Sequence, residues 1–260
     1  MSVYIIKQKH HCVYTLVRQN KMTDNPKNKN LGINKADIIT SITKSVAGAV
    51  PFAGSLLSEI IENTIPNQRF DRLIKYVKEL DERISRIPTD KFENLSTNPR
   101  SIDLIEESFY QASRALSSDR RSYIINIVIN GISDDGLKQE NAKVLLKILQ
   151  ELNDIEIIWL RYYLDPTVNG DKEFRKKHEN VLKSIYPYIG ADKETLNQSA
   201  IQKNYRTHLE RLGLIVNKLE INRKTGQPEF ERTTGLPKVR YTRITTLGEM
   251  LLENIGFTKN

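Results

Sequence analysis

The chain is expected to be mainly α, an N-terminal helical bundle followed by a C-terminal winged-helix domain with a small β-hairpin. Three observations lead there. Apolar residues recur at intervals of three and four over most of the length, the signature of amphipathic helices. Residues 197–257 join a helix, a glycine stop and two charged strands, which sets a helix beside a hairpin. Composition, 38% hydrophobic and 28% charged, is that of a soluble globular protein with enough apolar residues for a sizeable core. The expected division is a flexible basic extension over residues 1–33, a helical bundle domain over 34–152 and a winged-helix-like domain over 153–260.

Taken in order, Met22-Thr23-Asp24-Asn25-Pro26 reads as the polar beginning of a reading frame, with Met1 to Lys21 an upstream extension of little fold. Asn34 is placed to cap a helix running through Ala49, which Pro51 ends by disfavouring helical geometry before it. A second helix follows from Phe52 to Ile65 and stops at Pro66-Asn67. The third is the clearest: Phe70, Leu73, Ile74, Val77, Leu80, Ile84 and Ile87 form one stripe, with Glu79 to Arg83 and Glu82 to Arg86 spaced for ion pairs. That stripe suits either a core face or, by its near-heptad spacing, a partner helix; core is the reading preferred, with a homodimer through another surface left open.

Pro88 to Pro99 reads as a linker, and Ile102, Ile105, Phe109, Ala112 and Leu116 as the next amphipathic helix. Tyr123 to Ile129 is apolar on nearly every side. Its β-branched run suits a buried strand, but the helical neighbours and a Ser118-Asp119 cap favour a central buried helix. Lys138 to Leu152, Asp154 to Leu164 (with the single Trp159) and a highly charged Asp171 to Ile185 add three more.

The excess charge is unevenly distributed. The chain carries +8 overall, yet Lys193 to Arg243 holds 11 Lys/Arg against 5 Asp/Glu and residues 1–30 hold 6 against 1, leaving the middle nearly neutral. Such asymmetry is the footprint of a polyanion partner, although a solvated basic face produces the same count. Cys12 is the only cysteine, which excludes an intrachain disulfide and a cysteine-cluster zinc site and fits a reducing, cytoplasmic compartment. No run of 18 or more charge-poor apolar residues is present, and the first 20 residues lack the pattern of a secretory signal.

The chemistry expected of the C-terminal part follows from residue type. On the helix, Ile201, Tyr205, Leu209 and Leu212 form a packing stripe, and Ser199, Gln202, Lys203 and Arg206 a presented one. Gln reads adenine and Arg or Lys reads guanine in the major groove, whereas Ser positions the backbone. The ribbon adds Lys218, Arg223, Lys224, Arg232, Lys238, Arg240 and Arg243 around a turn at Thr225-Gly226-Gln227-Pro228, as phosphate-type contacts that give strong salt dependence and little discrimination. Duplex DNA is therefore the expected partner.

Val46 to Leu57 is rich in Gly and Ala and broken at Pro51, so it reads as a hairpin of closely packed helices. Membrane insertion is disfavoured by Glu59 and Glu62 just downstream. This hairpin, the Ile65-Pro66-Asn67-Gln68-Arg69-Phe70-Asp71-Arg72-Leu73 stretch, the helical middle and the pair Leu209-Glu210-Arg211-Leu212-Gly213-Leu214-Ile215 and Thr245-Thr246-Leu247-Gly248-Glu249 resemble uncharacterised bacterial proteins, more distantly the abortive-infection alpha group. The resemblance spans residues 34–257, implies a role in phage defence, and carries over no catalytic residue.

No phosphate loop, dinucleotide fingerprint, metal-binding helix motif or serine elbow is present in the sequence, so no enzyme activity, metal, cofactor or small-molecule substrate is expected. His10-His11, His178 and His208 are scattered, His208 being read as a surface or phosphate-facing residue. Glu106-Glu107 and Asp134-Asp135 are read as solvated pairs. Three readings stand: a DNA-binding regulator or defence component, a membrane-disrupting effector acting through the 46–65 hairpin, and a protein adaptor with no nucleic-acid ligand.

Overall fold

The computed structural model describes residues 67–86, 98–132, 136–167, 170–188, 190–232 and 235–257. The basic extension, the helices expected between Asn34 and Ile65, the 46–65 hairpin, Cys12, His10-His11, most of the Pro88–Pro99 linker and Asp134-Asp135 lie outside them. Among the described residues the protein is mainly helical, with one two-stranded antiparallel sheet. No helix among them is long and apolar enough to cross a membrane.

Helix α1 (Asn67–Ile84) forms on the predicted stripe. Phe70, Leu73, Val77, Leu80 and Ile84 are buried; Tyr76, outside that stripe, is also fully buried, its ring meeting Phe109 edge-on at 5.9 Å. Burial of these side chains within a single chain makes the stripe a core face. The expected Glu79 to Arg83 pair does not form. Arg83 instead donates to Asn126 and Ser122 (2.8 Å), and Glu79 receives Arg121 at 3.2 Å. Both side chains tie α1 to helix α3 (Ser118–Gly131), because a partner across a half-buried groove is held more tightly than one along an exposed helix face.

Helix α2 (Pro99–Arg114) starts where the Asn98 side chain accepts from the Arg100 N–H, with Pro99 in the first turn, where its missing N–H costs nothing. Helix α3 confirms the central buried helix: Ile124, Ile125, Ile127 and Val128 are buried, and it packs against α1, α2 and helix α4 (Gly136–Glu151). Its cap is Ser117, one residue before the expected pair, accepting from the Arg120 N–H at 3.1 Å. The β-branched run stays helical because neighbours on several sides bury it; the core outweighs its intrinsic strand preference.

Helix α5 (Asp154–Tyr162) begins in a capping box. The Asn153 side chain accepts from the Glu156 N–H and the Glu156 carboxylate from the Asn153 N–H, both at 2.9 Å. The single charged helix expected from Asp171 to Ile185 divides at His178 into α6 (Lys172–Lys177) and α7 (Glu179–Leu182). His178 leaves helical geometry and its ring lies against Phe174, centroids 4.7 Å apart. After this come helix α8 (Lys193–Arg211), strands β1 (Ile215–Leu219) and β2 (Val239–Ile244), and helix α9 (Thr246–Asn254), which packs on α3 and α5. Asn126 donates to the Ile255 carbonyl at 3.0 Å, securing the end of α9 to α3.

Candidate nucleic-acid interface

Helix α8 is the organising element. The Asp192 carboxylate caps it by accepting from the Thr195 N–H at 2.7 Å, which holds the acid below the usual carboxylate range. Gly213 stops it with φ of +71°, a conformation glycine adopts without a Cβ clash. Two bonds complete the stop: Gly213 N–H to the Glu210 carbonyl (2.9 Å) and Leu214 N–H to the Leu209 carbonyl (3.0 Å), with Leu209 and Leu214 both buried. The chain leaves directly into β1.

The faces of α8 differ from those expected. Gln202 is 8% exposed, and both ends of its amide are used: Oε1 accepts from the Ile185 N–H (3.0 Å) and Nε2 donates to the Lys183 carbonyl (2.8 Å). Ser199 donates to the Ile185 carbonyl at 3.2 Å. The Arg206 guanidinium lies 4.6 Å from the Trp159 ring centroid on α5. Ser199, Gln202 and Arg206 therefore form the packing side, because residues 183–185 cross α8 there and their backbone groups need partners. Of the four residues expected to be presented, only Lys203 faces outward. Ile201, expected inside, is 53% exposed and Leu209 is buried as expected. The exposed stripe is Asn197, Ala200, Lys203, Asn204, Thr207 and Arg211. Its signal in the sequence was the helical period counted from Leu209, which places 204, 207 and 211 away from the core.

His208 also departs from expectation. Its Nδ1 lies 2.7 Å from the Glu156 carboxylate, which is itself almost fully buried, so the imidazole joins α8 to the capping box of α5 rather than facing phosphate. Glu107 accepts from Gln111 at 2.9 Å. Among the described residues no group of three or more His, Cys, Asp or Glu side chains is arranged to hold a metal ion.

The hairpin pairs Ile215 with Ile244, Val216 with Arg243, Asn217 with Thr242 and Lys218 with Tyr241, then shifts register at Lys218/Leu219. Beyond the shift, the ribbon folds twice where one turn was expected. Asn222 and Gln227 close the first fold (Asn222 N–H to Gln227 carbonyl, 2.9 Å), with Gly226 at φ +69°. Glu231 and Leu236 close the second, with Gly235 at φ +68°. Between the folds, Glu220, Glu229 and Lys238 exchange backbone bonds of 2.7 to 2.9 Å, so three runs of chain meet at Lys238. Arg223, Lys224, Arg232, Lys238, Arg240 and Arg243 are exposed and Lys218 is half-buried. Lys238 pairs with Glu229 at 3.8 Å; among the described residues the other six have no ion pair.

The two motifs read in the sequence meet at one point. The Thr245 N–H donates to the Leu214 carbonyl (3.0 Å), its hydroxyl to the Gly213 carbonyl (2.6 Å), and the same hydroxyl oxygen caps α9 by accepting from the Gly248 N–H (3.1 Å). A Cβ on Gly248 would fall well short of van der Waals contact distance from the Leu214 carbonyl oxygen and 2.7 Å from Ile244. Gly248→Ala is thus expected to cost roughly 1–3 kcal/mol by forcing backbone apart. A thermal melt coinciding with wild type would show that this contact yields freely.

Comparison of the chain with family models, curated proteins and solved structures finds no match.

Proposed function

We propose that this chain is a non-enzymatic nucleic-acid-binding protein whose C-terminal part acts as a winged helix on duplex DNA. The order α8, β1, ribbon, β2 is that of a recognition helix followed by its wing, and α1 to α4 serve as the helical bundle that carries them. The observation that supports the reading most is the set of six cations lacking an ion pair among the described residues, Lys218, Arg240 and Arg243 on the two strands and Arg223, Lys224 and Arg232 on the ribbon between them. Cations already neutralised by carboxylates release no counterions from DNA; free ones do.

The corrected helix face redistributes the roles. Lys203 and Asn204 are the base-reading candidates, Asn being suited to adenine and Lys to guanine. Thr207 and Arg211 flank them. Arg223, Lys224, Arg232, Arg240 and Arg243 are the phosphate clamp, while Ser199, Gln202 and Arg206 hold the helix in place. The resemblance to the abortive-infection alpha group is the ground for assigning this binding to phage defence.

Titration of duplex DNA at several salt concentrations tests both parts. Arg223→Ala/Lys224→Ala is expected to weaken binding to every sequence and to lower the salt slope by about 2, near one unit per phosphate contact. Lys203→Ala/Asn204→Ala is expected to cost roughly 1–3 kcal/mol per base contact on a preferred site and little elsewhere. Wild-type protein that leaves duplex unbound at low salt favours the adaptor reading instead. If binding underlies defence, cells carrying the Arg223/Lys224 double variant lose protection in a phage plating assay; full protection separates the two.

A further inference from the structure

The outward face of the hairpin carries chemistry that a phosphate clamp does not require. Residues directly opposed in an antiparallel pair share a face. Asn217, Thr242, Ile215 and Ile244 belong to the inner face: Asn217 accepts from Thr242 (2.5 Å) and donates to Glu210 on α8 (2.7 Å), and Ile215 is buried. The alternate residues Val216, Lys218, Tyr241 and Arg243, up to the register shift at Lys218/Leu219, make up the outer face. Tyr241 stands at its centre, 51% exposed, with Lys218 directly across the pair and Arg243 two residues along the strand. No carboxylate belongs to this face, and among the described residues the Tyr241 ring stacks on no other aromatic and bonds no partner through its hydroxyl.

A large ring held half-open on a rigid sheet loses little further conformational freedom when something lies on it, because its backbone is already fixed by pairing. Two cations flanking that ring select a flat, anionic occupant. Paired DNA presents sugar and phosphate to such a surface, not base faces; an unpaired strand presents both the π-face and the phosphate that follows it. The exposed Phe230 ring, further out on the ribbon, adds a second apolar surface along the same excursion.

We infer that the outer face of β1 and β2 is a stacking platform for unpaired bases, with Tyr241 as the stacking ring and Lys218 and Arg243 as its phosphate contacts. The nucleic acid this chain engages then contains a single-stranded stretch. The inference rests on the nucleic-acid reading above and narrows it.

Fluorescence anisotropy with three probes tests it on the full chain: a blunt duplex, the same duplex with a tail of about 12 thymidines, and the same duplex with a uridine tail of equal length. Wild type is expected to prefer a tailed probe over the blunt one, the deoxy and ribo tails distinguishing DNA from RNA. Tyr241→Ala is expected to lose roughly 5- to 150-fold on the preferred tailed probe, the range of one base stack, and to leave the blunt duplex unchanged. Tyr241→Phe, which keeps the ring, is expected to retain wild-type affinity, and matching thermal melts confirm that the fold is intact. If Tyr241→Ala binds tailed and blunt probes as wild type does, the platform is overturned and duplex binding stands. An equal loss on all three probes also overturns it. Wild-type protein that binds none of them overturns the nucleic-acid reading and the platform with it.

Discussion

Leu73→Ala and Leu80→Ala are each expected to lose roughly 2–5 kcal/mol of folding stability, since each leaves a cavity that surrounding side chains only partly fill. Both leucines are at most 1% exposed and lie on the α1 face that packs against α2 and α3. The helices around them are tied by Arg83 to Ser122 and Arg121 to Glu79, which restrain collapse into the cavity and favour the upper part of the range. Ile74→Ala, on the same helix but only half-buried, is the internal control and is expected to cost less. Urea unfolding measures the loss, and sedimentation shows whether the wild type is a dimer. A folded monomer of unchanged stability in place of a wild-type dimer would return the stripe to an intersubunit role.

Trp159→Ala is expected to be as damaging, by about 3–5 kcal/mol. Trp159 is 2% exposed on α5, edge-on to Tyr162 with centroids 5.8 Å apart and under the Arg206 guanidinium of α8. Its removal opens a cavity where α5 meets α8 and removes the ring against which Arg206 lies, so the helix carrying Lys203 and Asn204 loses its seat as the fold loses stability. Trp159→Phe restores most of the volume and is expected to recover much of the loss. The readout is the thermal midpoint together with duplex affinity below it. An unchanged midpoint for the alanine variant would mean that α8 is held elsewhere, with the Glu156 to His208 contact the first place to look.

Much of the fold was legible in the sequence wherever one local rule was unopposed. The α1 stripe obeys the helical period, and Gly213 supplies a left-handed stop. The cap of α3 was displaced by one residue because Ser117, Ser118 and Asp119 are all competent caps, and only the path of the incoming chain selects among them. The charged run from Asp171 was read as one helix because its composition is uniformly helix-permissive. Nothing in it announces that His178 turns out of helical geometry against Phe174.

The candidate interface was legible in charge and not in orientation. Residue counts locate cations on the strands and the ribbon irrespective of how they fold, and six of them are without an ion pair among the described residues. Which side of α8 faces out depends on what else lies against that helix. A glutamine and an arginine look like reading residues until Ile185 and Trp159 are seen beside them. By itself, the sequence determined the helical class, the glycine-stopped helix with its hairpin and the basic excess, because each follows from interactions among near neighbours in the chain. Only the tertiary structure decided that Gln202 and Arg206 are held inward by residues 183–185 and Trp159 and that Tyr241 stands open between two cations. Those outcomes are set by contacts between residues distant in sequence, where satisfying a buried backbone group outweighs the tendency of a polar side chain to face water.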